Sequence, residues 1–446
     1  MEGTLKSNIS LKINTMFRSL QHRNYRLFFT GQSISLIGTW MQRIALPWLV
    51  YHMTGSVFLL GLVGFAGQIP TFLISPVAGV VTDRISRYKV LLTTQILFLV
   101  QATVLAILAL TGVIQVWHIV LLSIIFGCIS AFDTPSRHSF VIEMVERKED
   151  LGNAIALNSL MFNGARLIGP SIAGVMLATT SEGVCFLINA ISFIFVIGSL
   201  LLMHIQKKEF PVKETKMFRE LKEGFDYTFG FAPIKHIIIL LSIVNIMGAS
   251  YQVLMPVFAK EVLHGGSDTF GFLMAAAGLG ALIGAAYLAS RESIIRLGRM
   301  IPYSVIMSGI GLFALSFISF TPLTMGLLFF IGIGFMLNTA SSNTVLQTVT
   351  DDNMRGRVMS FYTMAIMGTS PFGSLLAGSL AKLFGSQYAI LIGGVACIAG
   401  ALVFLKKLPK LKTLVKPVYE EIDMNPEVKA GLHISSEPVG EASDIV

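Results

Sequence analysis

The sequence predicts an all-α membrane protein of about twelve transmembrane helices, arranged as two six-helix, pseudo-symmetric bundles. Three observations carry that prediction. Long apolar runs follow one another from residue 27 to residue 405 with only short polar breaks. Lys and Arg collect in every second break. The two halves of the chain also echo each other. Composition agrees: 54% of the 446 residues are hydrophobic and 13% are charged. A soluble domain of that make-up would expose apolar surface it could not cover, whereas lipid accepts it.

Taken in order, residues 1–26 form a polar N-terminal segment with Lys6, Lys12, Arg18, Arg23 and Arg26. It lacks a cleavable signal pattern and belongs on the cytoplasmic side by the positive-inside rule. Apolar runs at 27–51, 56–81, 89–112, 116–136, 153–179 and 183–205 make the first bundle, 27–205. A polar cytoplasmic linker, 206–235, follows. Runs at 236–259, 268–290, 298–319, 322–347, 356–382 and 386–405 make the second bundle, 236–405. Each run has roughly the 20 residues that a bilayer core demands. The segment 406–446 closes the chain as a cytoplasmic tail, acidic and polar after Lys416 and expected to be disordered.

The loop charges test the count. Arg84, Arg87 and Lys89, then Arg137, Arg147 and Lys148, then the Lys-rich linker fall on one side. Arg291, Arg296, Arg299, Arg355, Arg357 and the lysines 406–416 fall there too, while Lys260 and Lys382 fall on the other. Both termini are therefore expected to be cytoplasmic, and the net charge of +8 is topological. No basic face with interleaved aromatics stands outside the apolar runs, which sets nucleic acid aside as a partner. Cys128, Cys185 and Cys397 are scattered through apolar runs with neither metal nor disulfide spacing. No cofactor loop, metal-ligand spacing or nucleophile–base arrangement is visible, which argues against an enzyme. The internal echo pairs Gly38-Thr39-Trp40-Met41-Gln42 and Pro47 with Gly248-Ala249-Ser250-Tyr251-Gln252 and Pro256. In the linker, Phe218, Leu221, Phe225 and Phe229 keep helical spacing among Lys and Glu. Two readings stand there: an amphipathic helix on the inner membrane surface, or a solvated spacer.

Intramembrane charge is costly and usually functional. Arg43 lies on the first run and shares a helical face with Gln32, Ser35, Thr39 and Gln42. Arg166 on the fifth run follows Phe162 and Asn158 at spacings of four. Asn245 and Gln252 on the seventh run and Asn338 on the tenth would complete a polar substrate cavity between the halves. The structural alternative is that each arginine caps carbonyls or snorkels. Every Asp and Glu is expected in a loop or at a cytoplasmic helix end, so either proton coupling uses Asp83, Asp133 or neighbours near the inner face, or the substrate's own charge does the work. Two arginines favour an anionic or carbonyl-rich cargo. Gly169, Pro170 and Gly174 form a helix-kink motif in the fifth run, where proline frees a backbone carbonyl and glycine admits a neighbour.

The segment Gly79-Val80-Val81-Thr82-Asp83-Arg84-Ile85-Ser86-Arg87-Tyr88-Lys89 joins the second and third runs. It resembles the loop between the second and third helices of the major facilitator superfamily, with Ser86 in place of the pattern's second glycine. By that resemblance Asp83 docks on the start of the eleventh helix. Gly79, Asp83, Arg84, Arg87, Asp133, Arg137, Asp352 and Arg355 then form a conformational latch, where the alternative is charges that only enforce topology. Asn24-Tyr25-Arg26-Leu27-Phe28, Trp40-Met41-Gln42-Arg43, Thr54-Gly55-Ser56 and Arg355-Gly356-Arg357-Val358-Met359-Ser360 are similar to the bacterial branch of enterobactin exporters and macrolide-efflux proteins. That resemblance implies a monomeric secondary transporter of the bacterial cytoplasmic (inner) membrane. It would export drug-like or siderophore-like molecules against protons by alternating access. An importer of an organic anion, and a non-transporting sensor or assembly factor with the same fold, are the alternatives.

Overall fold

The computed structural model describes residues 18–204, 217–291 and 297–424, with the backbone alone at 76, 77, 79–84, 148, 217–221, 352 and 418–424. Among the described residues every regular element is helical. The first six long helices are α1 (Arg23–Thr54), α2 (Val57–Arg84), α3 (Arg87–Leu110), α4 (Val116–Met144), α5 (Leu151–Thr179) and α6 (Glu182–Leu201). The linker helix α7 spans Met217–Gly230. Then come α8 (Ala232–Val262), α9 (Ser267–Ala289), α10 (Leu297–Leu315), α11 (Thr321–Val349) and α12 (Asn353–Phe384). The last, α13, spans Ser386–Met424. Among the described residues, eleven helices are long and apolar enough to cross a membrane. The 32-residue α1 is not among them, because polar residues such as Gln32, Ser35, Thr39, Gln42 and Arg43 make it less apolar than the others.

The described residues form two compact units, 18–49 with 69–204, and 50–68 with 217–291 and 297–424. In the first unit, α3 packs along both α4 and α6. Tyr25, Phe28, Leu91, Phe140, Val196 and Leu200 are fully buried in its core. Phe98 stacks on Phe193 with ring centroids 5.5 Å apart. Lipid tails are as apolar as leucine, so such packing, and not water avoidance, holds spanning helices together. Polar groups buried there need partners. Asn189 Nδ2 donates to Gln42 Oε1 at 2.8 Å and Gln42 Nε2 donates to Gln101 Oε1 at 3.4 Å, which ties α6, α1 and α3 together.

In the second unit, α11 packs between α9 and α10, and α10 packs on α13. Residues 57–68 of α2 lie against α12: a Cβ on Gly378 would sit 2.9 Å from Gly61 Cα. Only a pair of glycines permits that approach. Three π-helical turns interrupt this unit, at Val244–Gly248 and Phe258–Val262 in α8 and at Met364–Gly368 in α12.

Two boundaries differ from the sequence reading. The fourth run, expected to end at 136, continues to Met144, because Phe140, Val141 and Met144 extend its buried stripe. The last run, expected to end at 405, continues helically to Met424. Leu408, Leu411 and Val415 recur at helical spacing and bury against the core of the second unit, so an apolar stripe persists among the lysines. Helix α7 is likewise part of the second unit. Phe361 of α12 lies edge-on to Phe229 at 6.0 Å, and Arg357 pairs with Glu223 at 2.7 Å. Partial burial pushes the Tyr227 phenol up, and its oxygen accepts the Asp351 backbone N–H at 3.3 Å.

Candidate functional site

The first unit brings Arg43 of α1 and Arg166 of α5 to one ring. On α1, Trp40 and Arg43 are three residues apart and share a face. The Arg43 guanidinium carbon lies 5.0 Å from the centroid of the Trp40 ring. On α5, Phe162 and Arg166 are four residues apart. The Arg166 guanidinium carbon lies 5.8 Å from the same centroid, and Phe162 meets it edge-on at 6.0 Å. Arg43 and Phe162 are exposed, whereas Trp40, Arg166 and Asn158 are half-buried. Arg43 forms no ion pair among the described residues, and it is within electrostatic range of Arg166 and Arg137.

Gly169 sets this arrangement. It lies one helical turn beyond Arg166, and a Cβ there would sit 2.5 Å from Trp40 Cβ and 3.1 Å from Ile37 O. The α1 and α5 backbones therefore meet where the arginines flank the indole. Pro170 and Gly174 are buried in the same stretch of α5. The kink motif and the charged residues, singled out separately in the sequence, belong to one construction.

Gln32 and Gln42, expected on the same cavity face as Arg43, are buried inside the unit. Gln42 is taken up by Asn189 and Gln101, neither of which the sequence reading had singled out. In the second unit Asn245 donates to its own helix, at Leu241 O, 3.0 Å away. Gln252 is half-buried. Asn338 is fully buried, with no hydrogen bond to either amide atom among the described residues.

Of the latch residues, the side chains of Gly79, Asp83, Arg84 and Asp352 lie outside the described residues. Asp133 and Arg137 pair at 2.7 Å, and Asp133 also accepts from Gln95 Nε2 at 2.6 Å and Thr94 Oγ1 at 3.1 Å. The sequence reading put all carboxylates in loops or at cytoplasmic helix ends. Asp133 instead is buried within α4, which runs on for three further turns, and its charge is held by Arg137. Glu261 lies in the final turn of α8 and accepts a hydrogen bond from Tyr51, with the Lys260 amine 5.6 Å from the Tyr51 ring. Arg87 pairs with Glu143 at 2.9 Å. Arg355 Nε donates to Gln347 O at 3.2 Å.

Solved structures share this helical architecture. A POT family transporter in complex with 5-aminolevulinic acid superposes with a TM-score of 0.69 at 14% identity, over 87% of this chain and 96% of that one. A nucleoside transporter superposes at 0.68 and 14% identity, over 86% and 99%. Fold and apolar helices together define a multi-pass membrane protein with the helical architecture of these structures. Among curated relatives, the staphyloferrin A transporter of Staphylococcus aureus is 28% identical over 87% of this chain and 97% of its own length. The multidrug efflux pump Tap of Mycolicibacterium fortuitum is 25% identical over 84% and 93%. Macrolide efflux protein A of Streptococcus pyogenes is 20% identical over 88% and 99%. Residues 14–440 match the family described as transmembrane secretion effector, and the chain belongs to it.

Proposed function

We propose that the protein is a secondary active exporter of amphipathic, drug-like or siderophore-like small molecules, driven by proton entry and working by alternating access. The observation that carries this reading is the cation–aromatic cluster of Trp40, Arg43, Phe162 and Arg166 on two long apolar helices. Charge placed there is expensive unless it meets cargo, water or a partner. The names of the relatives, which include a siderophore transporter and drug efflux pumps, support export. In this reading α1 is the twelfth span, and two six-helix bundles (27–205 and 236–405) are joined by the cytoplasmic linker. Both termini face the cytoplasm of a bacterium, and the protein works as a monomer in the inner membrane. Coupling runs through Asp133, the carboxylate buried in the first unit against Arg137. Gly79, Asp83, Arg84 and Arg87 with Asp133, Arg137, Asp352 and Arg355 act as the latch that biases the access equilibrium. Asn158, Asn245, Gln252 and Asn338 belong to the polar path, with Gln32 and Gln42 stiffening the helix that carries Arg43.

The test is efflux of a dye and siderophore panel from cells that express the protein, with and without a proton uncoupler. Lower retention that the uncoupler reverses is the expected result. Retention equal to that of empty cells across the panel, with inward movement of labelled organic anions, would replace export by import.

A further inference from the structure

The last helix carries one unbroken exposed face from its apolar part into its basic part. On α13, Val395, Ala399, Leu402, Val403, Lys406 and Lys410 are all exposed and follow one another at spacings of three and four. They therefore share one side of the helix. The other side is occupied, with Cys397, Ala401, Phe404, Leu408 and Leu411 buried in the core of the second unit. The exposed face is thus apolar for two turns and then cationic. No acidic residue occurs between Ser386 and Pro417. Lys406 and Lys410 make no ion pair among the described residues. Lys407, beside them, lies 2.9 Å from His236 Nε2, and His236 Nδ1 lies 2.7 Å from Ala232 O. An Nδ1–H that donates to this carbonyl leaves Nε2 as the acceptor, so a neutral ring holds the Lys407 ammonium and leaves its charge in place. Like charges one turn apart repel. Positive charge that only fixed the orientation of the helix would serve as well on any side of it. Here it stands in line with the exposed apolar stripe.

We propose that this face is a binding site for an anionic glycerophospholipid, whose acyl chains lie along Val395, Leu402 and Val403 and whose phosphate is held by Lys406 and Lys410, with Lys407 alongside. The occupant is a lipid and not a soluble phosphate, because the apolar stripe leads directly into the ammonium groups and only an amphiphile covers both. Lysine suits this task. Its stem lies along apolar surface while the ammonium reaches the headgroup as a point charge. Lys412 and Lys416 are half-buried off this face and are not part of the site. The site is independent of cargo and of the direction of transport.

The experiment measures lipid preference beside α13 in the full chain, reconstituted in bilayers. A bimane fluorophore on Ala399→Cys, an exposed position of the face, reports the neighbouring acyl chains, and Cys128→Ala removes the one native thiol that is not buried. Brominated phosphatidylglycerol and brominated phosphatidylcholine with matched chains are compared as quenchers in an unbrominated phosphatidylcholine host. Phosphatidylglycerol should be favoured at the probe by at least about fivefold. Lys406→Gln/Lys410→Gln should bring the two lipids to within about twofold of each other. Lys382→Gln, which removes an exposed lysine of α12, should leave the preference intact. Molar salt should weaken the preference in the labelled parent, a check that needs no lysine substitution. An unfolding midpoint unchanged in the double variant ties its loss to charge. Equal quenching by the two lipids in the parent, or a preference that survives the double variant, would overturn the proposal. Displacement of the brominated lipid by soluble glycerol phosphate would overturn it too, by assigning the lysines to a free anion.

Discussion

Replacing Asp133 by asparagine tests how the first unit tolerates its buried charge. Asp133 is 2% exposed and its carboxylate receives three donors, Arg137 at 2.7 Å, Gln95 at 2.6 Å and Thr94 at 3.1 Å. The amide keeps one oxygen for Gln95 and Thr94 but turns its NH2 group toward a guanidinium, donor against donor. Arg137, with a side chain 18% exposed, then keeps its charge in the interior with no counter-ion. Removing one partner of such a pair costs about 3–5 kcal/mol. Arg137→Gln strands the carboxylate instead and should cost a similar amount. The double variant Asp133→Asn/Arg137→Gln puts two amides where two charges stood, and these can bond to each other. Its cost should fall short of the sum of the singles by about 2 kcal/mol or more, within the range seen for residues in one network. Reversible unfolding of the purified protein by denaturant in mixed micelles measures each corner of the cycle. Single costs that add to the double within about 0.5 kcal/mol would show that the two residues do not stabilise each other, and the reasoning would fail.

Gly169→Ala places a methyl group 2.5 Å from Trp40 Cβ, and overpacking of this kind costs about 1–3 kcal/mol. A lowered unfolding midpoint with a shifted tryptophan emission is expected, and an unchanged pair would refute the close approach. Asn189→Leu leaves Gln42 Oε1 without its donor, so a loss of about 1–3 kcal/mol should appear in the same unfolding assay. Glu223→Gln should change stability by less than about 1 kcal/mol, because its side chain is 38% exposed and water screens the pair with Arg357. Phe361→Ala, by contrast, removes ring contacts to both Phe225 and Phe229, and should raise hydrogen exchange in α7 more than Glu223→Gln does. Equal exchange in the two variants would mean that charge, not ring packing, seats the linker helix.

Much of this architecture was readable from composition, because the bilayer requires apolar runs and sorts lysine and arginine by side. The family followed from short motifs such as Trp40-Met41-Gln42-Arg43. The single arginines were legible as well, since intramembrane charge stands out in any apolar run. Their shared partner was not. Trp40 is an ordinary aromatic in an apolar helix until Gly169, far away in sequence, is seen pressed against it. Gln42 shows the converse. Its spacing from Arg43 placed it on a polar face, but a helix in a bundle has polar neighbours on several sides, and Asn189 claims it. For α7 the spacing of Phe225 and Phe229 revealed an apolar face and nothing of what covers it, which is Phe361 of α12. Helix ends were misread where a stripe of buried leucines runs on among charges, as at Leu408, Leu411 and Val415.

The π turns at Val244–Gly248, Phe258–Val262 and Met364–Gly368 change the reading frame of their helices. A π turn is an α-helix with one residue inserted, and one residue is about 100° of rotation. Asn245 and Gln252 are seven apart and would share a face of a regular helix, yet Asn245 lies within the π turn at Val244–Gly248 and Gln252 beyond it. Alignments of α8 or α12 with helices that lack the insertion need a one-residue gap inside the span. A cysteine scan along α8 should likewise show its accessible positions slip by one at each turn, so numbering carried from one end will mislabel the face at the other.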